Sequence, residues 1–286
     1  MCIRDRSKVN HGIVFAQIGR HDEARAQVEE GLALWRQAGD ARGEAGALSN
    51  LATLAKITGD TVRSRELFHR ARELFEQNGL MEGVAWSLNH EADAARWAGD
   101  LESAHALLQS ALGRFRGSND DGGVANCLAD LATIWVDKDP HASEQYALDA
   151  LRLLSTTGHS REIARVLETL ARNAWHRGDA QATLRLAGAA AAIRHKFGNY
   201  DRLELRHPGD ALELQRVVTK SQECTGDGAT TFWMEGWSAP LAMTVEYALT
   251  TIRPATSPTA EAADPSFAER PKRDPPVPPI AARARG

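Results

Sequence analysis

The chain has 286 residues, 43% hydrophobic and 25% charged, with a formal net charge of −4 and an isoelectric point near 6.2. That balance suits a domain with an apolar core and argues against a nucleic-acid surface, which needs concentrated Lys and Arg. Three scattered cysteines, Cys2, Cys127 and Cys224, make neither a disulfide framework nor a CxxC site, and no apolar run or leader suggests a membrane or an export route, so a cytoplasmic location is expected.

The opening hexapeptide, MCIRDR, does not share the pattern that follows it. It resembles a translated transposase adapter, so residues 1–6 are set aside from fold reasoning and the first repeat is expected to enter partway. From residue 7 the chain keeps a forty-residue beat. A Gly followed by a polar residue, or its counterpart, closes an apolar-periodic run at Gly19, Gly59, Gly99, Lys138 and Gly178. A second series lies half a period away at Gly39, Gly79, Asn119, Gly158 and Gly198. Gly or Asn just past such a run marks a helix end, so each unit reads as two helices.

Positions inside the units agree. Small residues recur at Ala24, Ser64, Ala104, Ser143 and Thr183, and again at Gly31, Ala71, Ala111, Ala150 and Ala190. They let helices approach closely, while Leu48, Leu88, Leu128 and Leu167 supply apolar knobs. Trp35, Phe75, Phe115 and Leu154 recur late in the second helix and are expected to fill the gaps between units. After Gly198 the beat stops. A helix is expected around 210–223, a turn at Gly226–Gly228 and two short helices meeting near Pro240, together a capping module over 199–252. Eight of the eleven prolines fall in 253–286, which reads as a disordered tail.

The period, the small positions and the helix stops over 7–198 together resemble the tetratricopeptide repeat (TPR) in its longer, forty-residue variety. The resemblance implies an all-α fold: a right-handed superhelix, or α-solenoid, of about five TPR-like hairpins, closed by the helical C-terminal cap. In that family the first helix of each unit lines a concave groove that holds a protein or peptide. Registering the repeats places Trp86, Asn89, Asp93, Arg96, Asn126, Arg165, Arg172 and Trp175 there, with Ser49, Thr53, Lys56, Thr133 and Glu168 beside them. Trp86, Arg96, Arg172 and Trp175 are expected to be exposed there and to bind a partner while contributing little to folding. The family's carboxylate clamp of Lys and Asn has Ser49, Thr53, Asn89 and Asp93 at its places, so that specificity is not carried over.

A second resemblance is narrower. LAGAAAAIRHKFGN (186–199) and FWMEGWSAPLAMTVEYAL (232–249) are similar to the segments that close the repeat array of AfsR- and LuxR-type signal-transduction ATPases. Trp233, Glu235, Gly236, Leu241, Val245, Tyr247, Ala248 and Leu249 carry it. It implies the sensor end of a bacterial transcriptional or signalling regulator, with ATPase and effector domains as partners in cis. The alternative is a free-standing TPR adaptor. No phosphate loop, nucleophile elbow or paired-histidine helix occurs, and the ten histidines never fall at i, i+4. The calcium-like SNDDGG at 118–123 lacks the alternating ligands and reads as a turn. The expectation is therefore no enzyme, no cofactor, no metal, no nucleic acid and no membrane.

Overall fold

Helices follow from the beat because each run between stops places its small and branched residues three or four apart, on one stripe. The computed structural model describes residues 20–157, 160–196 and 207–251, all within the unit Met1–Pro254; a second unit, Ala255–Gly286, lies outside the described residues. So do the expectations for residues 1–19, for Gly158 and Gly198, and for the tail.

The first five helices are α1 (His21–Ala38), α2 (Ala41–Ile57), α3 (Thr61–Gln77), α4 (Met81–Trp97) and α5 (Leu101–Gly117). They are followed by α6 (Asp121–Trp135), α7 (Pro140–Thr157), α8 (Ser160–His176) and α9 (Ala180–Lys196). The closing module holds α10 (Pro208–Thr225), a 3-10 turn at Gly226–Gly228, α11 (Ala229–Ser238) and α12 (Leu241–Thr251). Among the described residues there is no strand, and the helices stack as the hairpins of a TPR-like solenoid.

The joints explain the beat. Gly39, Gly59, Gly79, Gly99 and Gly178 have φ between +66° and +88°, and Asn119 has +55°. Only such residues take this left-handed conformation cheaply. An aspartate follows five of the six. The N–H of Asp40, Asp60, Asp100, Asp120 and Asp179 donates to a carbonyl five residues back, at 2.8–3.1 Å. Its carboxylate accepts from the N–H three residues ahead: Gly43, Arg63, Ser103, Gly123 and Ala182, at 2.8–3.1 Å. One residue thus ends one helix and caps the next. Asn119 and Asp120 show that SNDDGG is such a joint. Lys138 is not a left-handed stop: α6 ends at Trp135, and Val136 continues in right-handed conformation at φ −53°. Here the Asp139 N–H donates to a carbonyl only four residues back, Trp135 O at 2.8 Å, and the joint needs no glycine.

Ala24, Ser64, Ala104, Ser143 and Thr183 are all 0% exposed, so the first small position is the closest approach in every unit. Between units the contact is a ring on a glycine. A Cβ at Gly43, Gly83 or Gly123 would run into the ring of Trp35, Phe75 or Phe115, each eight residues earlier. At the next joint the same places carry Leu154 and Glu162. First helices of neighbouring units also touch (α2 on α4, α4 on α6, α6 on α8), and no comparable contact joins successive second helices among the described residues. The first-helix side is therefore the inner, tighter side.

The cap closes the array through another backbone approach. Gly188 of α9 meets the backbone of Trp233 and Trp237, and Gly236 of α11 meets the backbone of Arg185. Val245 and Ala248 join the core that buries Leu186, with Trp233, Tyr247 and Ile193 packed against it. Trp237 lies on His195, ring centroids 5.5 Å apart. Leu241, which shares the cap's apolar pattern, is instead 37% exposed: it lies on the same stripe of α12 as Val245 and Ala248 but at the helix's first residue, at the open end of that stripe.

Alanine in a helix is ordinarily favoured over glycine by about 1 kcal/mol. At Gly123 the added methyl meets the buried Phe115 ring, and overpacking costs about 1–3 kcal/mol. Gly123→Ala is therefore expected to lower the chemical-denaturation midpoint, against its helix propensity.

Candidate functional site

Four rows of the inner face come from first-helix positions that repeat with the units: 86, 126 and 165; 90, 130 and 169; 93, 133 and 172; 97, 137 and 176. Within α8 the spacing is i, i+4, i+7, i+11, one stripe of a helix.

These rows are joined by charge. Lys56 is only 4% exposed, and its ammonium pairs with the Asp93 carboxylate, which also lies 3.6 Å from Arg96. Arg96 Nη1 donates to Asp210 Oδ2 at 2.6 Å. Arg172 Nη1 donates to the other oxygen, Asp210 Oδ1, at 3.3 Å, while its Nη2 donates to Asp137 Oδ2 at 2.7 Å. One carboxylate thus holds guanidinium groups from the third and fifth units, so the inner face is concave enough for the two to converge. A shorter string runs beside it: Arg165 pairs with Asp130 and donates to Asn126 Oδ1 at 2.9 Å, and Asn89 Nδ2 donates to Asp130 Oδ2 at 2.9 Å. Aromatic groups close the far end. Lys56 Nζ lies 5.4 Å from the Trp97 ring centroid, and the His207 ring meets the same indole edge-on at 5.5 Å.

Protonation states follow from these neighbours. Burial would raise the Asp93 carboxyl, but Lys56 and Arg96 together outweigh it and hold it below the usual value. Burial would lower the Arg96 guanidinium, but Asp210 and Asp93 raise it. Burial, then the Arg96 cation, lowers His207. Burial, then Asp130, pushes the Cys127 thiol up to about 12, so it is inert as a nucleophile at neutral pH. Among the described residues, no three His, Cys, Asp or Glu side chains gather as a metal site, and no helix is long and apolar enough to cross a membrane.

Asp93, Arg96, Asn126, Arg165 and Arg172 come together on the inner face, but they are not free there. Arg172 is 5% exposed and doubly paired, and Asn89 is buried between helices. The expectation that Arg172 contributes little to folding is therefore corrected: its loss would leave Asp137 and Asp210 short of a partner. Glu168 does not face the groove. It accepts two hydrogen bonds from Arg194 of α9, at 2.7 and 2.8 Å, because one position along the helix from Thr169 turns it by 100° into the hairpin. Trp86 lies back on the core, its ring edge-on to Phe115 at 4.9 Å. Trp175 is half-buried at the end of α8. Ser49, Thr53 and Thr133 bond their own helix backbones. The register missed Asp130 and Asp137, although both repeat from Asn126 at i+4 and i+11. It had no signal for His207 and Asp210, which arrive from outside the repeats.

Residues 5–77 match the family model of the tetratricopeptide repeat. The chain carries a TPR region. Its fold is similar to the crystal structure of BtubC (BKLC) from P. vanneervenii, with a TM-score of 0.54 and 20% identity over 65% of this chain and 78% of that one. It is also similar to a putative kinesin light chain of Podosopora anserina with nearly identical TPR-like repeats, with a TM-score of 0.51 and 17% identity over 68% and 96%. At these identities the likeness is one of fold. No curated protein matches the chain.

Because the Trp86 ring rests on Phe115, Trp86→Ala is expected to cost about 2 kcal/mol of stability, read from denaturant unfolding; an unchanged midpoint would return Trp86 to the free groove. His207 gives a pH signature. Its Nδ1 accepts from the Gly209 N–H at 3.1 Å and so caps α10. With its pKa lowered in the fold, its contribution is present above the unfolded value of about 6.5 and is lost as pH falls below it. His207→Asn keeps an N-cap acceptor without a titrating group. Its stability should match the parent at neutral pH and fall less steeply on acidification.

Proposed function

We propose that the chain is a non-catalytic TPR module that binds a protein or peptide on the inner face of its first helices. The observation that supports this is the continuous polar strip from Lys56 to Arg172, which crosses four units. A solenoid's second helices need only solvated outer faces, whereas this strip gathers four cations, four carboxylates and two amides. Such a strip suits an extended segment, with binding energy concentrated in a few anchored side chains. Partner contact is expected from this side alone. A photo-crosslinking residue at the exposed inner position His90 should capture a partner from lysate of the source organism, and one at the exposed second-helix position Arg70 should not. Equal capture from both, or from neither, would count against the reading.

We further propose that the module serves an ATPase-coupled bacterial regulator, on the likeness of 186–199 and 232–249 to the closing segments of such proteins. The genomic frame upstream of codon 7 should then encode a GxxxxGK[ST] phosphate loop. A frame without one would favour the free-standing adaptor.

A further inference from the structure

We infer that Asp210 occupies the seat of a partner's carboxylate: the inner face between Arg96 and Arg172 takes an acidic peptide, and the first turn of α10 is its built-in competitor. This rests on the reading of the inner face as a binding surface and adds the chemistry of what it binds.

Charge is the first argument. With Asp210 in place the strip carries Lys56, Arg96, Arg165 and Arg172 against Asp93, Asp130, Asp137 and Asp210. Without Asp210 the balance is one positive charge in excess, located where two guanidinium groups converge. Each is a planar fork suited to a carboxylate.

Unused donors are the second argument. Arg172 is 5% exposed, and its Nε is buried without a hydrogen-bond partner. The Trp97 indole Nε1 is likewise buried and unpartnered, although its ring faces His207 on one side and Lys56 on another. Buried donors normally find acceptors. A side chain as short as Asp210, held at the start of a helix, fills two of the donor positions at this place and leaves these two empty. A peptide bearing carboxylates on successive residues has acceptors enough for both.

Separability is the third. What holds α10 in the fold lies further along it: Val217 and Ser221 are buried, and Leu214 and Val218 pack on the core. Asp210 precedes Leu214 by about one turn and the buried Val217 by about two. Removing Asp210 from its seat leaves Arg96 beside Asp93 and Arg172 on Asp137, so neither guanidinium becomes an unpaired buried charge. A competitor carried on the same chain lowers the apparent affinity of an incoming peptide by the fraction of time the seat is filled.

The test uses the full chain, its Asp210→Asn variant, and three fluorescein-labelled hexapeptides: one of aspartate and glutamate, one of asparagine and glutamine, and one of lysine and arginine. Fluorescence anisotropy at fixed ionic strength should show D210N binding the acidic peptide about tenfold more tightly than the parent does. The amide and basic peptides should show no gain. Adding Arg172→Gln or Arg96→Gln to D210N should abolish the gain, and Asp210→Glu should stay close to the parent. Equal binding of the acidic peptide by parent and D210N, including none by either, overturns the proposal. A gain that survives loss of both arginines does the same. Groove-dependent binding of the amide or basic peptide alone would refute the acidic partner while leaving the inner face as the binding surface. A D210N chain that fails to fold also overturns it, since Asp210 would then be a fixed structural partner and not a displaceable one.

Discussion

One backbone conformation governs this molecule: a residue with positive φ standing directly before an aspartate. At Gly39, Gly59, Gly99, Asn119 and Gly178 the chain must leave one helix and enter an antiparallel neighbour within about three residues. The left-handed residue lets the aspartate N–H reach back to the old helix while its carboxylate reaches forward to the new one. Because the reversal is this tight, the two helices start already in contact. The residues facing each other just inside the joint must then be small, which is why Ser64, Ala104 and Thr183, five residues after Gly59, Gly99 and Gly178, have no exposed surface. The ring-on-glycine contacts repeat the logic between units, with the bulk on one helix and the vacancy on the next.

Those demands act on single residues, so they were legible in the sequence. A left-handed joint selects Gly or Asn, a cap selects Asp, and a close approach selects Ala, Ser or Gly. The stop at Lys138 was misread because a joint whose closing hydrogen bond reaches four residues back can be made in right-handed conformation, and the sequence carries no residue type that forbids it. The inner face was harder. Neighbouring positions on a helix differ by 100°, so Glu168 and Thr169, or Asn89 and His90, trade the groove for the hairpin interior on a one-residue error in register. Pairing was harder still, since Arg96 and Asp210 are 114 residues apart and nothing in the repeat says where α10 will lie.

The burial of so much charge on one face needs an account. Taking Lys56, Arg96 and Arg172 from water is costly, and a paired, hydrogen-bonded geometry offsets that cost without making the strip strongly stabilising. Apolar residues of similar size would serve the fold as well. What the charges supply is specificity: every cation on the strip has a carboxylate of matching reach, and any segment laid on the face must either respect that pattern or displace part of it. The part most open to exchange is the one contributed from outside the repeats.

That contribution links two jobs of the closing module. Its α11 seals the end of the array by crossing α9 at Gly188 and Gly236, a contact of backbone on backbone that leaves no room to slide. Its α10 leans on α8 and α9 and extends its first turn, with His207 and Asp210, onto the inner face. A repeat array needs a cap for solubility in any case, and α11, α12 and the later turns of α10 supply the apolar contacts of this one. The first turn of α10 adds nothing to the sealed apolar end, yet it places a carboxylate where the third and fifth units converge. A ligand carboxylate that took the Asp210 seat would displace α10 at its start, so occupancy of the inner face and the position of that turn would be coupled. A ligand on the groove would in this way change the surface that the cap presents, without disturbing the repeats beneath it.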